Sequence, residues 1–186
     1  MTTTLRKTLV AAASVLLLTG CGALADDTAG SVPDGSYLVA NELIFDPVQH
    51  DVEDQSVCNG LPGEEVLERF DRADAAELNL APGEALMTCG HADGAGWRHI
   101  ADGHTDDFGK IAELVDSSWE DVAWFVIDRA LERPSDVVLY REDIANFIVL
   151  LEYVGESGDV EQQWEIVVGV GLTSDKIITS FPRNPR

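Results

Sequence analysis

The order of elements between residues 117 and 182 constrains the fold most, because one helical segment is followed by four strand-like segments. Apolar residues recur at helical spacing from residue 117 to 133, and Pro134 ends the pattern. Ser117 and Glu120 have the spacing of a capping box, which predicts the start of this helix. The later segments are rich in β-branched and aromatic residues and are joined by short loops, which favours an antiparallel meander. The four predicted strands span residues 137–142, 147–154, 164–172 and 176–181.

The third predicted strand alternates large apolar residues with glycine. Trp164, Ile166 and Val168 lie on one face, whereas Gly169 and Gly171 lie on the other. Glycine weakens a strand because it has no side chain to pack and loses more entropy on folding. Two glycines at alternate positions therefore indicate that something approaches this open face closely.

Upstream of residue 117 the sequence predicts shorter elements. Residues 97–104 follow helical spacing, a loop is expected at residues 103–109, and residues 111–115 predict a short helix. Residues 64–70 also predict a short amphipathic helix. The segments expected to be strands or extended chain are 37–40, 43–45 and 85–89.

The first 21 residues predict a bacterial lipoprotein signal peptide at residues 1–20. Arg6 and Lys7 precede an apolar run of about ten residues, which is too short to span a bilayer as a helix. The run ends in Leu18-Thr19-Gly20-Cys21, which has the form of a lipobox. We expect acylation of Cys21 to hold the chain on the extracytoplasmic face of the cell membrane. Residues 21–36 predict a flexible tether, and residues 37–186 predict a single globular domain that is a monomer.

The charge of the chain opposes recruitment of polyanions. The full sequence has 12 basic and 34 acidic residues, a formal charge of −22. Removing Arg6 and Lys7 with the signal peptide leaves 10 basic residues and a charge of −24. Nucleic-acid affinity normally depends on Lys and Arg side chains that neutralise phosphates. Any RNA contact therefore requires a local basic site, and the acidity can equally be an adaptation to a salty habitat.

Two cysteines remain besides Cys21. Cys58 and Cys89 are expected to form a disulfide, because an exported domain lies in an oxidising compartment. The alternative is a Cys-His metal site through Cys89 and His91, although the second cysteine pair typical of such sites is missing. We expect no cofactor.

Residues 97–104 contain two of the four histidines beside an arginine and several acidic residues. Trp97, Ile100 and His104 follow helical spacing, so His99 is expected on a different helix face. The structural interpretation is that one histidine packs against apolar neighbours while the other hydrogen-bonds Asp102. A catalytic role is the second interpretation, and metal binding is the third. The metal-ligand set would be His91, Asp93, His99, His104 and Asp106.

The order of these elements resembles the barnase, EndoU, colicin and RelE-like (BECR) superfamily of small ribonuclease domains. The likeness covers residues 97–186 and includes the histidine segment, the long helix before Pro134, the four strands and the closing Ile-Ile-Thr-Ser-Phe-Pro at residues 177–182. It implies an α+β fold with two or three helices packed on one face of a four-stranded antiparallel sheet, after an N-terminal extension. It also implies RNA cleavage on the other face, without metal.

In that superfamily the ribose 2′-hydroxyl attacks the adjacent phosphate. Histidine can accept or donate the proton near neutral pH. A cation stabilises the charged transition state, and a hydroxyl side chain hydrogen-bonds the phosphate. The catalytic residues that the resemblance implies are His99, His104, Arg98, Arg141, Lys176, Ser180 and Thr179.

Alternation in the last strand separates the two hydroxyl residues. Lys176 and Ser180 fall on one side of the strand and Thr179 on the other. We expect Ser180 with Lys176 on the open face. Of the two histidines, His99 is expected to act on the substrate and His104 to pack.

Two functions from different classes follow. The first is an RNA-cleaving or RNA-binding domain displayed on the cell surface, which requires a positive patch around Arg98, His99, Arg141 and Lys176. The second is a non-catalytic lipoprotein that binds an envelope protein, a cation or a small ligand. An acidic open face with buried histidines would favour the second.

Overall fold

A computed structural model describes residues 35–47 and 55–186 as a mixed α+β fold. In this described part of the chain, two helices and eight strands follow one another, with three short 3-10 turns at Gln55–Cys58, Ala76–Leu78 and Glu113–Val115. Within these residues no helix is long and apolar enough to cross a membrane. The elements are β1 (Tyr37–Ala40), β2 (Leu43–Ile44), β3 (Val66–Arg72), β4 (Gly83–Thr88), α1 (Trp97–Ala112), α2 (Trp119–Glu132), β5 (Asp136–Arg141), β6 (Ile144–Val154), β7 (Val160–Gly171) and β8 (Ile177–Arg183).

The main sheet is antiparallel and has six strands, not the four predicted. The expected meander is present as β5, β6, β7 and β8, and β1 with β2 extends it in the order β2-β1-β6-β7-β8. The 11-residue strand β6 accommodates two short strands along the same edge. It pairs with β5 through residues 144–148 and with β1 through residues 151–154. Strands β3 and β4 form a separate two-stranded sheet.

Both helices pack against the main sheet, α2 against β6 and β7 and α1 against the edge strand β8. On β6 the fully buried residues alternate as Ala145, Phe147, Val149 and Leu151, and they share that face with Ile166, Val168 and Val170 of β7. The fold therefore has a helix-covered face and an open face. The open face carries the partly exposed residues Ile144 and Asn146.

Helix α1 continues through the segment predicted to be a loop. Phe108, Ile111 and Ala112 are buried and extend the apolar stripe that begins at Trp97. Gly103 and Gly109 each cost a helix roughly 1 kcal/mol relative to alanine. The predicted break at residues 103–109 is wrong because packing of this stripe outweighs that cost. The predicted short helix at 111–115 is the end of α1 followed by one 3-10 turn.

The segment predicted as a helix at residues 64–70 is a strand. It forms most of β3, which pairs with β4 from Val66 opposite Thr88 to Arg72 opposite Gly83. Phe70 is buried whereas Val66 is exposed. Short apolar runs fit both periodicities, and the available partner strand decides between them.

The cap of α2 lies one residue later than predicted. The side chain of Ser118, not Ser117, accepts a hydrogen bond from the backbone N–H of Asp121 at 3.1 Å. Helix α2 then ends at Glu132, immediately before Arg133 and Pro134. The prediction of a helix before this proline is confirmed, because proline cannot continue it.

Candidate functional site

Arg98 fixes the loop that precedes α1. Its guanidinium donates hydrogen bonds to the carbonyl oxygens of Gly90 and Leu61, both at 2.8 Å, and to that of Cys58. The predicted pairing of Cys58 with Cys89 is confirmed, with their Cα atoms 5.5 Å apart. Arg98 therefore connects the chain near both cysteines of the disulfide to the start of α1. Its N–H groups point at backbone carbonyls and not at the open face.

Two glycines allow the chain to turn sharply between β4 and α1. Gly90 has φ +61° and Gly96 has φ +82°, in the left-handed region that favours glycine. A Cβ on Gly96 would lie 2.5 Å from the carbonyl oxygen of Thr88, and one on Gly90 would overlap the carbonyl oxygen of Ala95. This glycine-rich loop therefore sets where α1 and its histidines begin.

Gly90→Ala is expected to destabilise the protein by more than the roughly 1–2 kcal/mol that a left-handed alanine costs, because the new Cβ also displaces backbone. Gly94→Ala is the matched control in the same loop, since its Cβ would make only an ordinary 3.6 Å contact with the His91 side chain. Urea unfolding of both variants measures the difference. Equal stability of the two variants would contradict this account of the turn.

The rings of His99 and His104 lie close together. Their centroids are 6.0 Å apart and the ring planes are nearly perpendicular, at 87°. Residues five apart on a helix are separated by about 140° around its axis, which is why divergence was expected. The expected separation is wrong for the rings, because side chains of this length lean across adjacent turns. His99 Nδ1 lies 2.9 Å from the carbonyl oxygen of Ala92, so this nitrogen is the donor and Nε2 is left for another partner.

His104 reaches the edge strand β8. Its Nε2 lies 3.4 Å from the Oγ1 of Thr179, and its Nδ1 lies 3.5 Å from a carboxylate oxygen of Asp107. The imidazole also stacks on Phe181 with centroids 5.4 Å apart. Both polar distances exceed the usual 2.7–3.2 Å of a hydrogen bond. The result is a carboxylate–imidazole–hydroxyl series that ends on the open face.

Thr179, not Ser180, is the hydroxyl residue on the open face. Thr179 pairs with Gly169, whereas Ser180 pairs with Val168 on the helix-covered face and is fully buried. The expectation for Ser180 is wrong because alternation divides a strand into two sets without showing which set faces the helices. A bulge opposite Gly169 and Val170 further shifts the residues before Thr179.

Lys176 is also absent from the open-face site. Its ammonium pairs with the carboxylate of Glu64, next to the β3–β4 sheet. This hydrogen bond and the charge of Lys176 hold the pKa of Glu64 below its usual range. Of the positive patch that the RNA hypothesis requires around Arg98, His99, Arg141 and Lys176, the first and last cations are absent, because Arg98 bonds backbone carbonyls and Lys176 pairs with Glu64.

Beside Thr179 the open face contains a groove of about 470 Å³. Gly169 forms its floor, where a Cβ would lie 3.4 Å from both Asn146 Oδ1 and Thr179 Cγ2. The predicted close approach over this glycine is thus provided partly by the protein itself. None of the described residues that line the groove is acidic. The lining is Val138, Leu139, Tyr140, Ile144, Asn146, Gly169, Ile178, Thr179, Phe181, Arg183 and Arg186.

Cations lie at two places around the groove. Arg183 pairs with Glu165 at 2.7 Å, and its hydrogen bond, with a further one from the Arg186 backbone, holds the pKa of Glu165 below its usual range. The Arg141 guanidinium lies 5.1 Å from the centroid of the Tyr140 ring. Arg141 is one of the catalytic residues that the resemblance implies. Arg183 and Arg186 are not among the predicted site residues, although Arg183 ends β8, Arg186 lies three residues later and their charge is visible in the sequence.

The alternative metal-ligand set is not assembled. Among residues 35–47 and 55–186 no three His, Cys, Asp or Glu side chains are arranged to hold a metal ion. His99 and His104 come together, but His91, Asp93 and Asp106 do not join them as a ligand group. The cysteine alternative through Cys89 is excluded by the disulfide, since its sulfur is bonded to Cys58.

Comparisons with protein-family models, curated proteins and solved structures gave no match for this chain. The resemblance of residues 97–186 to the BECR superfamily therefore stays a prediction. Function has to be argued from the geometry of the open face.

Proposed function

We propose that the chain is a lipid-anchored extracytoplasmic protein whose domain binds RNA on the open sheet face and cleaves it without metal. The observation that carries the proposal is the meeting of His104 with Thr179 at the edge of the groove. The resemblance implied a histidine from the helix and a hydroxyl from the last strand. The anchor at Cys21 lies outside the described residues and rests on the lipobox alone.

The two histidines fit the two proton transfers of this reaction. His104 Nε2 takes the proton of a ribose 2′-hydroxyl while the 2′-oxygen attacks the adjacent phosphorus. The bond from phosphorus to the 5′-oxygen breaks, and protonated His99 donates the proton that the leaving oxygen requires. The products are a 2′,3′-cyclic phosphate and a 5′-hydroxyl, and proton exchange with water restores both imidazoles.

The groups around His104 support these roles. Asp107, 3.5 Å from Nδ1, stabilises the imidazolium that forms when His104 accepts the proton. The Thr179 hydroxyl is placed to donate a hydrogen bond to a phosphate oxygen. His104 keeps about 22% of its side chain exposed, so solvent and substrate reach it.

The groove supports RNA as the substrate. The exposed ring of Tyr140 and the half-buried ring of Phe181 offer faces on which unpaired bases can stack. Among the described residues the lining lacks carboxylates in a chain of charge −22, and it includes Arg183 and Arg186. Because Arg183 is already paired with Glu165, Arg186 and the lack of lining carboxylates are the features that favour a polyanion here.

The test is metal-independent cleavage of an RNA panel by the full chain in mild detergent. With chelator present, His104→Ala is expected to lose about 10²–10⁴-fold in rate, the range for removal of a general acid or base. His91→Ala is the matched control, because His91 is an exposed histidine that belongs to neither proton-transfer step. Absence of cleavage by folded wild-type protein across the panel, or an equal loss in both variants, would overturn the proposal.

The apolar wall of the groove favours a second candidate, a non-catalytic binding protein for a small ligand. Val138, Leu139, Ile144 and Ile178 give the groove more apolar than polar surface, as in sites for small molecules. Such a ligand would raise the thermal midpoint of the wild-type protein in the absence of any cleavage. Ile144→Lys, which places a charge in the wall on β6, is expected to abolish that shift.

A further inference from the structure

Strand β5 presents an unpaired edge. Among the residues that the structure describes it pairs with β6 alone, so its other edge carries free backbone donors and acceptors. Leu139 and Tyr140 are 52% and 60% exposed, and Val138 is 39% exposed. Edge strands are normally protected from further pairing by charged side chains, above all lysine, by proline, by bulges or by extreme shortness, and β5 has one bulge and a charge at each end. The six residues Asp136–Arg141 contain neither lysine nor proline.

The two ends of β5 carry opposite charges on the same face. Asp136 pairs with Ile148 of β6 and Arg141 pairs with Ile144, so both lie on the open face. An odd separation normally places two strand residues on opposite faces. The bulge between Leu139 and Arg141 adds one residue to β5 that has no partner on β6. This extra residue returns Arg141 to the same face as Asp136.

These positions make β5 complementary to itself. When two antiparallel strands pair about a two-fold axis, opposed residues must lie on the same face. With the bulge counted as one position, Val138 is central and faces its own copy. Asp136 then lies opposite Arg141 of the second copy, and this occurs at both ends.

We propose that the free edge of β5 binds a second copy of this chain. The two six-stranded sheets then form one continuous sheet of twelve strands, and two Asp136–Arg141 pairs flank the apolar centre. The occupant is a second copy because both charge pairs come from the strand itself, which a dissimilar partner would not require. This dimer replaces the expectation of a monomer. It does not depend on RNA cleavage, since His104 and Thr179 lie at the β8 side of the sheet.

A cysteine on the two-fold axis tests the pairing directly in the full chain at the membrane. Opposed strand residues have Cβ atoms about 4.5–5.5 Å apart, within roughly 1 Å of the 3.5–4.5 Å in a disulfide, so a thiol oxidant is expected to join Val138→Cys to its own copy. The native cysteines 58 and 89 are already bonded to each other. Val160→Cys is the matched control, since Val160 is 47% exposed at the start of β7. The dimer predicts at least tenfold more covalent dimer for Val138→Cys, and equal yields would overturn it.

Charge reversal separates specific pairing from random collision. In the Val138→Cys background, Asp136→Arg and Arg141→Asp each place like charges opposite one another, and each is expected to reduce cross-linking about tenfold. The double variant restores opposite charges, and so does a mixture of the two single variants. Both are expected to recover cross-linking to within twofold of the parent, which also shows that the chains are folded. Persistent cross-linking in the single variants, or no recovery in the double variant, would overturn the proposal.

Discussion

Trp97→Ala is expected to lower the free energy of unfolding by about 3–5 kcal/mol, the range for truncation of a buried tryptophan. Trp97 is fully buried at the first position of α1. Its ring stacks on Trp119 with centroids 5.0 Å apart and an interplanar angle of 15°, and it meets the edge of Trp124 at 5.1 Å. Because both partners belong to α2, this single side chain joins the helix of the histidines to the rest of the core.

Trp97→Phe distinguishes ring packing from hydrogen bonding. The indole Nε1 of Trp97 has no hydrogen-bond partner among the described residues, so phenylalanine keeps an aromatic contact and removes a buried donor. We expect Trp97→Phe to lose less than half as much stability as Trp97→Ala in urea unfolding. A loss smaller than about 1 kcal/mol for Trp97→Ala would be at odds with a central role for this ring.

Removing the disulfide is expected to cost about 3–4 kcal/mol in the chain-entropy model, because the bond closes a loop across a sequence separation of 31 residues. Both cysteines are buried, so we choose the variant Cys58→Ala/Cys89→Ala. Serine at these positions would bury hydroxyl groups without hydrogen-bond partners. The loss should appear as a lower urea midpoint. The chain around Cys58 also supplies a carbonyl acceptor to Arg98, so the start of α1 is expected to loosen with it.

Reducing agent provides the control for this variant. It should lower the stability of the wild-type protein, once the bond is reduced, and leave the double alanine variant unchanged. Unequal final stabilities of the reduced wild type and the variant would show that the substitutions act by more than loss of the bond. A change in the wild type smaller than about 1 kcal/mol would contradict the predicted contribution of the loop.

Long periodic segments were predictable from the sequence, and short ones were not. The apolar stripe of α2 repeats often enough at helical spacing to exclude a strand. The alternation along β5–β8 repeats often enough at a period of two to exclude a helix. Residues 64–70 offered only three apolar positions, which fit a helix stripe as well as a strand, and pairing with β4 decided for the strand. The loop predicted at residues 103–109 is not formed, and α1 continues there, because Phe108 and Ile111 pack in the core against residues distant in sequence.

The candidate site was predicted by residue type more than by arrangement. His99, His104 and Thr179 were chosen from the sequence, and the structure brings the two histidines together and His104 to the threonine. Arg98 and Ser180 were chosen in the same way. In the structure Arg98 donates its hydrogen bonds to backbone carbonyls, and Ser180 is buried. A free cation and a cation already paired look the same in a sequence.

By itself the sequence determined the α+β class, the helix before Pro134, the four-strand meander and the pairing of the only two cysteines in the domain. These features follow from local periodicity or from the small number of possible partners. Only the tertiary structure decided that β1 extends the sheet and that Thr179, not Ser180, faces the groove. Alternation shows which residues share a face, but the identity of that face depends on which helices pack against it. That packing joins residues as far apart as His104 and Thr179, whose separation along the chain no local pattern can bridge.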